Sequence, residues 1–430
     1  MQKNSKLAIV IAGVVAIALV AFFVTRSGSD SATDTSKATG NLEIFTWWAS
    51  GGEAAGLEGM TTEFTTQNPD LTFVNASVAG AAGVNAKGVL VSRMEAGNPP
   101  DTFQAHAGAE LSSYVKAGQL EDLTALYKAE GWDKVFPADL IKTLTTDGKI
   151  YSVPVNIHRA NVLWWNPAAA KKAGITKAPG SLDEMIADMD KFKKVGIDGI
   201  ALAGQGDWAI AHLFDYVLLA SMGADKFNGL WNGGTAWDGP EVSKAIDYLT
   251  KILSYGNQSK SLDWPDAGKL VTSGKAGFFI MGDWASSQWQ SEGLVLGTDY
   301  TWAPGPGTDG IYQWLSDSFT LPVGAPNRAA GLAWLKVCGS LAGQDAFNPK
   351  KGSISVRTDS DPSKFDDYLQ AAMKSWKVDT LVGSTVHGVN YGNAGMAALN
   401  SAVGKFYTGG AKDKAGFVTG LIAAYDADKA

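Results

Sequence analysis

Cysteine is nearly absent. Cys338 stands alone among 430 residues, which excludes an intrachain disulfide framework and any cysteine-based metal cluster. It falls in a helix-like stretch, Ala329 to Cys338, where a lone thiol reads as a small buried hydrophobe. Histidine is scarce as well. His106, His158, His212 and His387 are the full set, with no two at ligand spacing on one helix, so a metal site has little support. There is no basic excess: Lys+Arg 36 against Asp+Glu 43 leaves a net charge of −7, which argues against nucleic acid as a partner. P-loop, dinucleotide-binding and Gly-x-Ser-x-Gly signatures are missing, so no cofactor is expected. No internal repeat is visible, and the 50 glycines are dispersed and mark turns.

One long hydrophobic run does exist. Lys3 and Lys6 precede the uncharged stretch Leu7 to Val24, long for a signal-peptide core and just long enough to span a bilayer. Both lysines lie before it, so the remainder is expected outside the cytoplasm. No cysteine near its end can accept a lipid, and no small-x-small cleavage site follows. Length and the missing cleavage site favour a retained membrane anchor at 1–24 over a cleaved signal. Residues 25–40, rich in Ser, Thr, Asp, Gly and Ala, read as a flexible tether reaching roughly 20–25 Å.

From Asn41 the chain alternates strands and helices. Strand 42–48 precedes a helix with Leu57, Met60 and Phe64 on one face. Extended structure resumes at Leu71 to Val78. A second helix covers Val84 to Glu95. Asp101 to Gln104 is a short strand, with Ala105 to Gly108 as the loop after it. This βαβαβ order predicts a parallel sheet covered by helices. Thr146 to Lys149 reads as a hairpin turn and Ile150 to Val155 as a strand. Helices are expected at Leu182 to Val195 and Pro240 to Ser254, and a buried strand at Gly274 to Gly282.

Tryptophan is abundant, 15 in all. Trp47 and Trp48 end the first strand, and Glu53 follows a loop of small residues. A pyranose has an apolar C–H face and a rim of hydroxyls. Aromatic rings cover the face, and charged or amide groups take the rim. Tryptophan beside polar residues in loop-like places therefore points to carbohydrate. Further clusters are Gln104 with His106, Trp264 before Pro265-Asp266, Asp283-Trp284, Asp317, Lys351 and His387. Plainer readings stand beside each. Strand neighbours alternate, so Trp47 and Trp48 cannot both enter one face. Asp283 reads equally as a helix cap, Lys351 as a solvated charge, and a loop histidine as a structural hydrogen-bonder. Trp164-Trp165 sits in apolar surroundings and reads as core.

Five segments together carry a resemblance: Leu42 to Trp48, Gly97-Asn98-Pro99-Pro100-Asp101, Asp147 to Arg159, Met281-Gly282-Asp283-Trp284, and Lys351-Gly352-Ser353-Ile354 with Arg357. In this order they resemble the extracellular solute-binding proteins of bacterial ABC sugar importers, most closely the glucose/mannose/galactose-binding branch, from Leu42 to the C-terminus. The resemblance implies a two-lobed α/β fold of the type II periplasmic-binding class, each lobe a helix-covered sheet, with ligand in the inter-lobe cleft. It implies an N-terminal lobe of 41–152 and about 318–357, and a C-terminal lobe of about 153–317 and 358–430. Trp47, Trp48, Glu53, His106, Trp264, Trp284, Asp317, Lys351 and His387 match sugar-contacting positions; Gln104 and Asn161 match less closely. The implied activity is non-catalytic: a monomer that captures a monosaccharide, glucose or a close epimer, and hands it to the permease subunits. The alternatives are an oligosaccharide or polyol binder on the same fold, and an exported carbohydrate-active enzyme using carboxylates such as Glu53 and Asp317. No carboxylate pairing of the glycosidase kind is visible in the sequence.

Overall fold

The computed structural model describes residues 33–35, 38–80, 83–257 and 260–429. The expected anchor at 7–24 lies outside them, as does most of the tether. Among the described residues no helix is long and apolar enough to cross a membrane.

The first sheet has strand order Leu71–Asn75, Gly40–Phe45, Thr102–His106, Asp317–Thr320, Ser152–Pro154. Its first three strands run parallel, with Ile44 opposite both Asn75 and Thr102. Leu42, Ile44 and Phe103 are wholly buried there. Two antiparallel strands from distant sequence complete it, with Asp317 opposite His106 and Ser318 opposite Pro154. The helix Gly51–Gln67 buries the expected face, Leu57, Met60 and Phe64, against the helix Leu341–Lys351. Glycine makes that approach possible. A Cβ on Gly59 would lie 2.3 Å from the Ala346 carbonyl oxygen, and one on Gly56 3.0 Å from Lys351 Cβ. The second helix, Val84–Glu95, falls where the pattern puts it.

The other half of the chain builds a sheet of Thr301–Pro304, Val162–Trp165, Ala276–Ile280 and Asp198–Ile200. Leu182–Lys194 packs on it, burying Leu182, Met185, Met189 and Phe192. Ser181 caps this helix by accepting from the Glu184 N–H at 3.2 Å. The long helix Trp208–Asn232, kinked at Gly223, and Pro240–Leu253 complete this core. Trp164 is fully buried against Trp289, Tyr300 and Tyr368 and donates Nε1–H to the Met281 carbonyl. Cys338 is buried in the helix Arg328–Gly339.

A third sheet, Thr380–Gly383, Ile311–Leu315 and His158–Arg159, stands where the chain crosses between the halves. Only Ser316 separates Ile311–Leu315 from Asp317–Thr320. A short stretch likewise separates Ser152–Pro154 from His158–Arg159. A further crossing is tied to this one by Ile157 and Ile354, which exchange backbone hydrogen bonds of 2.8 and 3.0 Å.

Some local expectations need correction. Ala105 and His106 are strand rather than loop, because Asp317–Thr320 pairs along them to the end. The strand expected at Ile150 to Val155 is split, since Lys149–Ile150 pairs locally with Thr145–Thr146 and only Ser152–Pro154 joins the main sheet. That sheet therefore reaches two residues past 152 and begins its return at Asp317 itself.

Candidate functional site

The crossing strands bring charged groups together from distant sequence. The first strand stops at Phe45, so the paired tryptophans lie just beyond it rather than ending it as expected, and they turn apart. Trp47 turns toward the crossing, its ring centre 5.2 Å from that of His106. Trp48 turns into the lobe against Phe347 and Phe319 at 4.9 and 5.7 Å, though Lys351 Nζ still lies 5.7 Å from its ring centre. Gln104 ties this turn to the next strand. Its Oε1 accepts from the Thr46 hydroxyl and, at 3.2 Å, from the Trp47 N–H. That commits its Nε2 to donate, and it donates to Asp317 Oδ1 at 2.9 Å.

Asp317 is the centre of the network. Asn156 Nδ2 donates to its Oδ2 at 2.8 Å, while the Asp317 N–H donates back to Asn156 Oδ1 at 2.7 Å. His158 Nε2 lies 3.6 Å from Oδ2, and His106 Nε2 lies 3.9 Å from Oδ1. Burial alone would raise this carboxyl. His158, Lys351 and His106 more than offset it and hold it below the usual carboxylate range, hence ionised.

Two histidines are oriented by carboxylates. His158 Nδ1 meets Asp283, and its Nε2 lies 3.0 Å from Lys351 Nζ. Asp283 makes no side-chain cap on the helix that follows it; it holds His158 and accepts from the Arg159 N–H at 2.9 Å. His106 Nδ1 donates to Glu110 at 2.7 Å, and Lys87 donates to the same oxygen at 2.9 Å. Burial pushes Glu110 up, but Lys87 and His106 prevail and bring it down to about 2. Lys351 is not a solvated charge: it is 2% exposed. The left-handed Gly352 ends its helix at the cleft, where Lys351 also meets Glu53 Oε1 at 3.4 Å. Burial raises the Glu53 carboxyl, with Lys351 opposing.

Facing these charges is an aromatic wall from the second half of the chain. The Trp284 ring lies 5.2 Å from His158, 5.3 Å from His387 and 6.0 Å from His212. Trp208 lies 5.5 Å from His387 and 6.1 Å from Trp284. His387 is in turn 5.6 Å from His106, which closes the ring of contacts across the two halves. All four histidines of the chain thus meet here, yet no group of metal-holding residues forms among the described residues. Burial lowers His212 to about 3 and takes His387 well below its ordinary value, so both are neutral imidazoles. Their Nε2 atoms are buried without a hydrogen-bond partner among the described residues. A cleft of about 270 Å³ opens beside the wall, lined in part by Lys87, His106, Trp208 and Asn400.

Of the residues singled out from sequence, Trp47, Glu53, Gln104, His106, Trp284, Asp317, Lys351 and His387 come together, with Trp48 at the edge. Asn161 is placed differently. Its amide is spent within the crossing, donating to Thr308 Oγ1 and the Ile311 carbonyl and accepting from Arg159 Nε and the Gln313 N–H. Trp264 is buried at the start of the helix Trp264–Thr272, and its ring takes no part in the contacts described above. Trp208, His212, Glu110, Lys87 and Asn156 were not foreseen. One signal existed: Trp208 and His212 are four residues apart, so in a helix they share a face. Nothing local announces Lys87 or Asn156.

The arrangement offers flat rings, ionised or neutral acceptors and one buried ammonium, all aimed between two halves of the molecule. Comparison with known proteins agrees. The family model for bacterial extracellular solute-binding proteins matches residues 48–345. An ABC transporter extracellular-binding protein of Pyrococcus horikoshii is 32% identical over 415 residues, 95% of this chain and 93% of its own. A probable sugar-binding periplasmic protein of Rhizobium meliloti is 35% identical over 405 residues, 93% of this chain and 96% of its own. Among solved structures, the bacterial solute receptor AcbH, described as preferring β-D-galactopyranose, superimposes with a TM-score of 0.77 at 18% identity, covering 91% of this chain and 99% of its own. The fold is thus the two-lobed type II periplasmic-binding fold. With two thirds of its length matched by the family model and close relatives spanning nearly all of it, the chain belongs to the bacterial extracellular solute-binding proteins.

Proposed function

We propose that this protein captures a monosaccharide, glucose or a close epimer, outside the cytoplasm and delivers it to an ABC importer. The observation that carries the reading is the meeting of Trp47, Trp208 and Trp284 with Asp317, His106, His158, His387 and Lys351 between the lobes. Rings cover a pyranose face, while ionised and imidazole groups bond its hydroxyls. The names of the relatives support sugar as the class of ligand and a binding role rather than catalysis. Compactness supports a single sugar ring: Trp47, Trp284, Asp317, Lys351 and His387 are all almost fully buried. The lobes divide close to 41–152 with about 318–357, and about 153–317 with 358–430, the first sheet adding Val153, Pro154 and Asp317 to the first lobe. They close as hinged jaws about the crossing strands, and the closed monomer is what the permease subunits read. Trp48 and Gln104 belong to the same reading as supports of the pocket wall, whereas Asn161 and Trp264, expected to contact sugar, stand apart from it.

Titration of the purified protein with mono- and disaccharides, with product analysis, tests this. One-to-one binding of a hexose that is recovered unchanged is expected. Indifference to the whole panel refutes sugar binding, and turnover of a glycoside refutes the non-catalytic role. Preference for a disaccharide or polyol favours the wider-specificity alternative.

A further inference from the structure

The loop that carries His387 is wired to a carboxylate buried behind it. Asp215 lies two turns beyond Trp208 on the helix Trp208–Asn232 and is 2% exposed. Its Oδ2 accepts from Gln313 Nε2 at 2.8 Å, from the Thr385 N–H at 3.0 Å and from Ser384 Oγ at 3.1 Å. Ser384 has one proton to give. Having donated it to Asp215, its oxygen must accept from His387 Nδ1, 2.6 Å away. The opposite direction would set Ser384 lone pairs against Oδ2. His387 Nδ1 therefore carries the proton, and Nε2 is a bare acceptor. That Nε2 is buried and unpartnered among the described residues, and its ring meets Trp208, Trp284, His106 and His212.

Burial and hydrogen bonding compete at Asp215. Burial raises this carboxyl to about 7. Against that burial, Ser384, the N–H and side chain of Thr385 and the Val386 N–H favour the ionised form. The ionisable groups facing His387 are His106, His158, His212 and Lys87, from the other elements packed about it; with burial they all oppose its protonation.

We propose that Asp215 and Ser384 are positioning residues that lock His387 as a hydrogen-bond acceptor, so that this side of the cage selects a ligand hydroxyl that donates. The selectivity rests on the sugar reading above; the lock itself does not. A site with a fixed buried acceptor disfavours any group that cannot donate to it, since the acceptor is left unpaired.

Nitrogen NMR of the imidazoles tests the lock without ligand. In the wild-type protein His387 should show the Nδ1–H form. Ser384→Ala should mix in the Nε2–H form. Asp215→Ala, which takes away the acceptor of the Ser384 proton, should mix it in as well. Monofluorinated glucoses, whose fluorine cannot donate, then test selectivity. One substitution should cost the wild type about tenfold in affinity, and the same loss should shrink severalfold in Ser384→Ala. A wild-type ring carrying Nε2–H, or a tautomer unmoved by Ser384→Ala, overturns the lock whatever the ligand. Equal fluorine losses in both proteins overturn the selectivity. The expected tautomers with glucose unbound support the lock and overturn the glucose reading instead.

Discussion

Asp317→Asn changes one oxygen to an NH2 and should be felt twice. The carboxylate serves two donors, Gln104 Nε2 at 2.9 Å and Asn156 Nδ2 at 2.8 Å. An amide at 317 can accept from only one of them. Gln104 cannot turn over to compensate without giving up its bonds from Thr46 and the Trp47 N–H. Asn156 would likewise lose its acceptance of the 317 N–H. One buried donor is therefore stranded, at about 1–3 kcal/mol of stability. The second loss is charge. Lys351 and His158 remain without the anion they face, and a ligand hydroxyl loses a charge-assisted acceptor worth about 1.5–3 kcal/mol. Affinity should fall about tenfold to a hundredfold or somewhat more, at 1.4 kcal/mol per decade. The pH dependence follows from the lowered pKa. A carboxyl depressed in the folded state contributes its stability above its unfolded value, about 4, and loses it as pH falls toward the folded value. Melting of wild type and variant should therefore differ fully at pH 7, and the gap should close below pH about 4. Calorimetric titration with the cognate sugar and melting on the same samples measure both effects. A variant that melts early yet binds as the wild type would remove Asp317 from the site and leave it a structural group.

The stacking and core tryptophans should separate in the same pair of assays. Trp284→Ala should weaken sugar binding by roughly tenfold to a hundredfold, taking about 1–3 kcal/mol per stacked ring by analogy with base–aromatic stacking. Trp164→Ala should cost about 3–5 kcal/mol of stability with affinity little changed in the folded fraction. Asp215 titrates in the opposite sense to Asp317: its pKa is raised to about 7 by burial, so wild-type stability relative to Asp215→Asn should decline as pH rises from about 4 to 7; a gap that stays flat over that window contradicts the burial argument. For attachment, a retained anchor at Leu7 to Val24 predicts a membrane-bound native protein whose intact mass begins at Met1 or Gln2. A mass beginning near Ser31 or later means a cleaved signal.

Local pattern alone determined much of the first lobe. Leu57, Met60 and Phe64 recur at helical spacing and are buried together, and Val84–Glu95 ends where Gly97 and Pro99 break it. Trp164 reads as core because its neighbours are apolar, and core it is. Trp47, Trp284 and Asp317 were legible as candidates by residue type, since rings beside charged groups suit a sugar. What each polar group does was not legible. Lys351 looks like a surface lysine until its helix, packed glycine-close on Gly51–Gln67, carries it under the cleft. Asp283 looks like a cap until the crossing strand sets His158 against it. Asn161 is drawn into the crossing by Thr308 and Ile311, about 150 residues away in sequence. Trp208 and His212 join the wall only because their helix begins opposite Trp284. The reason is physical. Period and composition report which face of one element is apolar, a property of neighbours along the chain. A hydrogen bond between groups 100 to 200 residues apart, such as Gln104 with Asp317, exists only once the crossing strands have placed them side by side.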